Sequence, residues 1–192
     1  MAMRYFAWVM LTLTLLLAAF WSQAGIDPRT MVINREPLLG LEIWTESVPA
    51  WPTRIETHAG KPVFIAESPP YYYPPGSMSW ATFNFEIGKD EDFQAVFDAA
   101  LSEAKQNYRL PSDIQVETTA ASYGPLKGLE GRFIGKQDND EVEVLFFVGQ
   151  GEGGPAVVMQ TLSLPGKLDH LKYQVLRSWD SIKYLDQKAG VQ

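Results

Sequence analysis

Leu129-Glu-Gly-Arg-Phe-Ile-Gly-Lys136, Val142-Glu-Val-Leu-Phe-Phe-Val148 and Ala156-Val-Val-Met-Gln-Thr-Leu162 decide the fold. Each run has strand length and is rich in β-branched or aromatic side chains, which pack well on a pleated surface. The links Gln137-Asp-Asn-Asp-Glu141 and Gly149-Gln-Gly-Glu-Gly-Gly154 are turn-like. Neither leaves room for a crossover helix, so consecutive runs must lie antiparallel.

Upstream, Phe93, Val96, Phe97, Ala100, Leu101 and Ala104 recur at helical spacing, with Gln94, Asp98, Glu103 and Lys105 on the opposite side. This predicts an amphipathic helix over Asp90–Tyr108, with Asp90 as its cap, that lays one stripe on the sheet and stops before Pro111. Before it, Ala81, Phe83, Phe85 and Ile87 alternate with Trp80, Thr82, Asn84 and Glu86, the period of a strand with one buried face. Short strands are expected at Leu41–Thr45, Thr53–Thr57, Pro62–Ala66 and Ile114–Glu117. Beyond the meander, Leu168, Leu171, Val175, Leu176 and Trp179 predict a second amphipathic helix leading into Ile182. The fold class is therefore α+β: an antiparallel sheet flanked by helices.

The amino terminus has a separate purpose. Arg4 precedes an apolar run from Phe6 to Trp21, and Ser22-Gln-Ala24 places small residues where a signal peptidase cuts. The same run is long enough to remain as an anchor helix, and Arg4 holds its amino-terminal end in the cytoplasm. Residues 1–24 are thus a signal peptide or signal anchor, 25–40 a linker, 41–186 a single α+β domain and 187–192 a tail. The domain is expected in the periplasm, free or tethered to the inner membrane, with residues 6–21 its only membrane contact if they stay uncleaved.

Composition narrows the chemistry. Among 192 residues, 16 are Lys or Arg and 23 are Asp or Glu, a net charge of -7 that disfavours binding to phosphate backbones; no nucleic-acid partner is expected. Cys is absent, which removes disulfides, thiol catalysis and Cys-held metals. The two histidines, His58 and His170, lie in a predicted turn and on the last helix, and no Gly-x-Ser-x-Gly elbow accompanies them. Asp138, Asp140, Glu141 and Glu143 miss the calcium-loop spacing, and the Gly149–Gly154 run lacks the Lys-Ser/Thr of a phosphate loop. No metal or cofactor is expected. Carboxylates such as Glu117, Glu130 and Glu143 leave an alternative open, a periplasmic hydrolase or carbohydrate-active enzyme, which requires two of them at a defined separation.

The least ordinary stretch is Ser68-Pro-Pro-Tyr-Tyr-Tyr-Pro-Pro-Gly76. Its prolines restrict the chain and lower the cost of ordering it, while tyrosines supply contact area with a polar tip. Tyr71, Tyr72, Tyr73 and Trp80 are accordingly the candidate protein-binding residues. The competing reading folds these rings over a sheet edge.

The order strand, acidic cap, helix, short strand, Gly128-Leu-Glu-Gly-Arg-Phe133, hairpin, Val157-Val-Met-Gln-Thr-Leu-Ser-Leu-Pro165, helix and Ser181-Ile-Lys-Tyr-Leu185 resembles the PsbP-like superfamily. That group includes the Ran-binding Mog proteins and bacterial effector chaperones. The resemblance spans roughly residues 78–186, with residues 30–67 in the place of the amino-terminal hairpins. It implies an α/β/α sandwich that binds other proteins without catalysing a reaction. It carries no functional residue across, and the Pro/Tyr segment departs from its compact pattern. The expected function is an exported, non-enzymatic protein-binding or accessory module, of the kind that serves as an immunity or secretion-associated factor.

Overall fold

A computed structural model describes residues 30–70, 74–83, 93–111 and 113–185. Ten strands follow in chain order: β1 (Met31–Glu36), β2 (Leu41–Glu46), β3 (Thr53–His58), β4 (Lys61–Glu67), β5 (Gly76–Phe83), β6 (Thr118–Tyr123), β7 (Leu126–Gln137), β8 (Asp140–Gln150), β9 (Ala156–Ser163) and β10 (Lys183–Tyr184). Helix α1 (Phe93–Asn107) lies between β5 and β6. A 3-10 turn (Leu168–Leu171) and helix α2 (Lys172–Asp180) follow β9. The main sheet has seven strands in the order β3-β4-β5-β9-β8-β7-β6, all neighbours antiparallel. A second, three-stranded sheet has the order β1-β2-β10. The chain is α+β, as the short turns of its meander require.

The strand period of two divides the apolar side chains between two cores. On β8, Val142, Val144, Phe146 and Val148 point to one face, where they meet Val96, Phe97, Ala100 and Ala104 of α1. The Phe97 ring stands edge-on to Phe146, centroids 6.0 Å apart. On the other face, Phe147, Met159, Trp80, Met78 and Phe64 pack under Leu41 and Ile43 of β2 and under Leu171, Val175 and Trp179. Strands β8 and β9 are covered on both sides, which explains why their sequences are nearly continuous apolar runs. The Ser181 hydroxyl accepts the Trp44 amide at 3.1 Å, fastening the end of α2 to the smaller sheet.

Four expectations change. Residues 31–36, read as linker, form β1 against β2. Ile114–Glu117 is not a strand; the strand is the next segment, Thr118–Tyr123. Gly149 lies within β8 rather than opening a turn. Along β5, Met78 and Trp80 are the fully buried pair, while Ala81 and Phe83 are only half-buried on the opposite face. The signal or anchor at 1–24, the tail at 187–192, Tyr71–Tyr73, Phe85, Ile87 and the Asp90 cap lie outside the described residues. Among the described residues no helix is long and apolar enough to cross a membrane.

Candidate functional site

Helix α1 packs on β7, β8 and β9, and no described residue covers the β3–β5 half of the same face. Between the helix and those strands runs a groove of about 380 Å³. Its floor alternates apolar and small polar residues: Val63 and Ile65 of β4, Ser77, Ser79 and Ala81 of β5, and Val158, Gln160 and Leu162 of β9. Glu103, Asn107 and Tyr108 form the helix-side wall. These residues share a face because the ladder pairs Val63 with Ala81, Ile65 with Ser79 and Ser79 with Gln160.

Apart from Glu103 on the helix side, the charged groups stand at the strand-side rim. Arg54 donates to Glu56 at 2.5 Å and to Glu67 at 2.7 Å, tying the two edge carboxylates together across β3 and β4. Glu56 also meets His58 Nε2 at 2.8 Å. Hydrogen bonds from Arg54 and then His58 hold the Glu56 carboxyl below the usual carboxylate range. Lys61 Nζ sits 4.1 Å above the centre of the Phe83 ring, a cation–π contact at the groove's far end. Inside, Tyr108 donates to Gln160 Oε1 at 3.0 Å, and burial pushes its hydroxyl up to about 12. Tyr108 is therefore a neutral donor at physiological pH. The surface offers apolar contact with a few neutral hydrogen-bonding groups, a combination suited to recognition.

The Pro/Tyr segment leaves the sheet beside the end of this groove that Glu67 and Ser77 line. Its base is pinned. Ser68 N donates to Gly76 O at 2.8 Å, Gly76 N returns a bond to Ser68 Oγ at 2.9 Å, and Ser163 Oγ holds Pro75 O at 2.7 Å. Pro69 and Pro74 are buried. Tyr71, Tyr72 and Tyr73 themselves lie outside the described residues. Trp80 does not join them as an exposed anchor: it is 0% exposed and packs on Phe64 at 5.5 Å between centroids. The reason is parity, since Trp80 shares the face of Met78 and its ladder partner Phe64, under the β1–β2 hairpin.

The other sequence candidates have structural partners. Glu130 accepts from the Tyr123 hydroxyl at 2.6 Å, and burial followed by this bond raises the tyrosine's pKa. Glu143, nearly buried, takes Arg132 Nε at 2.7 Å and the Gly166 amide at 2.8 Å. Glu130 faces Phe147 and Glu143 faces Ile134, four ladder steps apart, so their backbone positions stand roughly 13 Å apart along the strands at about 3.3 Å per residue. Glu117 is exposed, as are Asp138, Asp140 and Glu141 at the β7–β8 turn. Among the described residues no three His, Asp or Glu side chains are grouped to hold a metal. His58 ends β3 and His170 lies exposed in the 3-10 turn. The groove residues Ser77, Ser79 and Gln160 were missed by sequence reasoning, although the alternation Ser77-Met-Ser-Trp80 signals two faces of different character.

No known family of sequences matches the chain, and no curated protein matches it either. Solved structures do. A Bacteroides thetaiotaomicron protein superposes with a TM-score of 0.52 at 13% identity, over 82% of this chain and 50% of its own, so the chain spans about half the length of that relative. A Pseudomonas aeruginosa protein of unknown function aligns with a TM-score of 0.49 at 10% identity over 79% of this chain and 94% of its own. LpqN of Mycobacterium tuberculosis, involved in cell envelope biogenesis, gives 0.33 at 12% identity over 81% and 83%. At such identities a likeness speaks of fold alone, and only the first is close enough to do so. What that neighbour shares with this chain is an α+β arrangement of an open antiparallel sheet and helices.

Proposed function

We propose that the chain is an exported, non-enzymatic protein-binding module with the architecture of a PsbP-like sandwich, and that its binding face is the open half of the main sheet. The observation that carries this reading is the β3–β5 face, which no described residue covers, with its apolar floor, its neutral polar groups and a rim where Arg54 pairs with Glu56 and Glu67. Helix α1 on one side of the sheet, and α2 with the β1–β2 hairpin on the other, support the sandwich. The leader at residues 1–24 supports export, with the domain in the periplasm or held at the inner membrane. An acidic exported domain of this kind suits an immunity or secretion-associated role. Tyr71, Tyr72 and Tyr73 are the candidate binding residues of the segment between Ser68 and Gly76, which are pinned to each other beside the groove.

Crosslinking of the exported protein in cells, followed by mass spectrometry, identifies the stoichiometric partner. Ser79→Arg with Ala81→Glu, which fill and charge the groove floor, should reduce capture of that partner more than tenfold while the thermal midpoint moves by only a few degrees. Replacing Tyr71, Tyr72 and Tyr73 together by Ser should do the same. Capture per folded molecule that survives the groove substitutions would overturn the assignment of the face.

A further inference from the structure

We infer that the outer edge of β6 is a strand-addition site for an extended segment of a partner protein that carries a large apolar side chain at the end lying beside Ile114. The inference concerns the edge opposite β3 and does not depend on the groove. A two-residue turn joins Tyr123 to Leu126, so Tyr123, Ala121 and Thr119 spend their backbone groups on β7. The N–H and C=O groups of Thr118, Ala120 and Ser122 point outward, and no described residue's backbone pairs with them.

The three longer open edges differ in how they are protected. Strand β3 carries Arg54, Glu56 and His58, and β1 carries Arg35 and Glu36, charges of the kind that discourage pairing with another chain. Strand β6, Thr-Thr-Ala-Ala-Ser-Tyr, has no charge and no proline, and its first three residues and Ser122 are exposed. Small side chains let another backbone approach closely.

What should approach is set by the start of the strand. Strand β7 runs on beyond Thr118, whose ladder partner is Gly131, and there Leu110, Ile114, Val116, Phe133 and Ile134, with Gln115 and the ion-paired Arg132 and Glu143 at the margin, line an open notch of about 490 Å³. Ile114 and Ile134 are 41% and 55% exposed. A strand laid along β6 ends over this notch, which takes a large apolar side chain. A second copy of β6 fits poorly: antiparallel pairing sets its Gly124-Pro125 turn over the notch, and five small residues with an already buried Tyr123 bury far less than the roughly 800 Å² per partner of a stable dimer.

The probe is an acetylated, amidated peptide, Leu-Thr-Val-Thr-Ile-Thr-Lys, added to the full chain while amide hydrogen exchange is followed. Binding should slow exchange at Thr118, Ala120 and Ser122. Ala120→Pro removes an outward N–H without touching the β7 ladder, so it should keep the thermal midpoint within a few degrees and weaken peptide binding at least tenfold. Ile114→Asp, which leaves the edge intact and spoils the notch, should weaken it comparably. Absence of slowing at β6, or binding by either variant as tight as by the unaltered chain, overturns the inference. Slowing confined to β4 and β5 overturns it in favour of the groove, and concentration-dependent protection of β6 without peptide overturns it in favour of a second copy.

Discussion

Glu46 is the most exposed to risk of any single side chain in the cores. Only 7% of it is accessible, its Oε2 meets Arg177 Nη1 at a long 3.5 Å, and its Oε1 has no hydrogen-bond partner among the described residues. Burial raises its pKa, against the opposing pull of Arg177. A carboxyl whose folded pKa is raised binds its proton more tightly in the folded state, so this group contributes stability at low pH that is lost as pH rises past its unfolded value toward the folded one. Glu46→Gln should therefore flatten the pH dependence of stability just above the ordinary Glu range, as urea titrations at stepped pH would show. Arg177→Met should cost about 3 kcal/mol at pH 7, because it leaves a buried charge alone. That cost should shrink on acidification, and a cost independent of pH would mean Glu46 is already protonated at neutrality.

At the scale of elements, the α1 stripe was fully legible: a 3.6-residue pattern survives whatever lies beneath the helix. Phe97, 2% exposed, is its deepest ring, and Phe97→Ala should destabilise the domain by roughly 3–5 kcal/mol in thermal or urea unfolding. A loss under about 1 kcal/mol would mean that α1 does not depend on this contact. Strand β6 was illegible for the reason that makes it an open edge. A strand that buries only its last residue needs no apolar alternation, so the β-branched Ile114–Val116 pair upstream outweighed it. Gly149 misled similarly. It faces Gly128 across the ladder, and a methyl group on Gly128 would lie 1.9 Å from the Val148 carbonyl oxygen. There glycine serves close backbone approach rather than a turn. Trp80 shows the limit of single-strand reading, since alternation separates two faces without saying which lies under another layer.

For the whole molecule, the expected order is export first and binding second. A periplasm-active reporter fused after Gln192 should be active, and deletion of residues 1–24 should abolish that activity while leaving the fusion in the cytoplasm. Amino-terminal sequencing of the exported species then separates a cleaved signal from an anchor. The groove was hidden from the sequence because it is made by an absence of cover, a property of how far α1 reaches rather than of any residue pattern. That same uneven cover gives the sheet an internal gradient of persistence. Strands β8 and β9 are clamped between two cores, whereas β3 and β4 hold on from one side and finish in an exposed edge. The amides of β8 and β9 should exchange only when the entire chain unfolds, and the β3–β4 hairpin should open far more often and by itself. The proposed binding face is thus bounded by the part of the sheet that can peel back and reseat around a partner while the remainder stays closed.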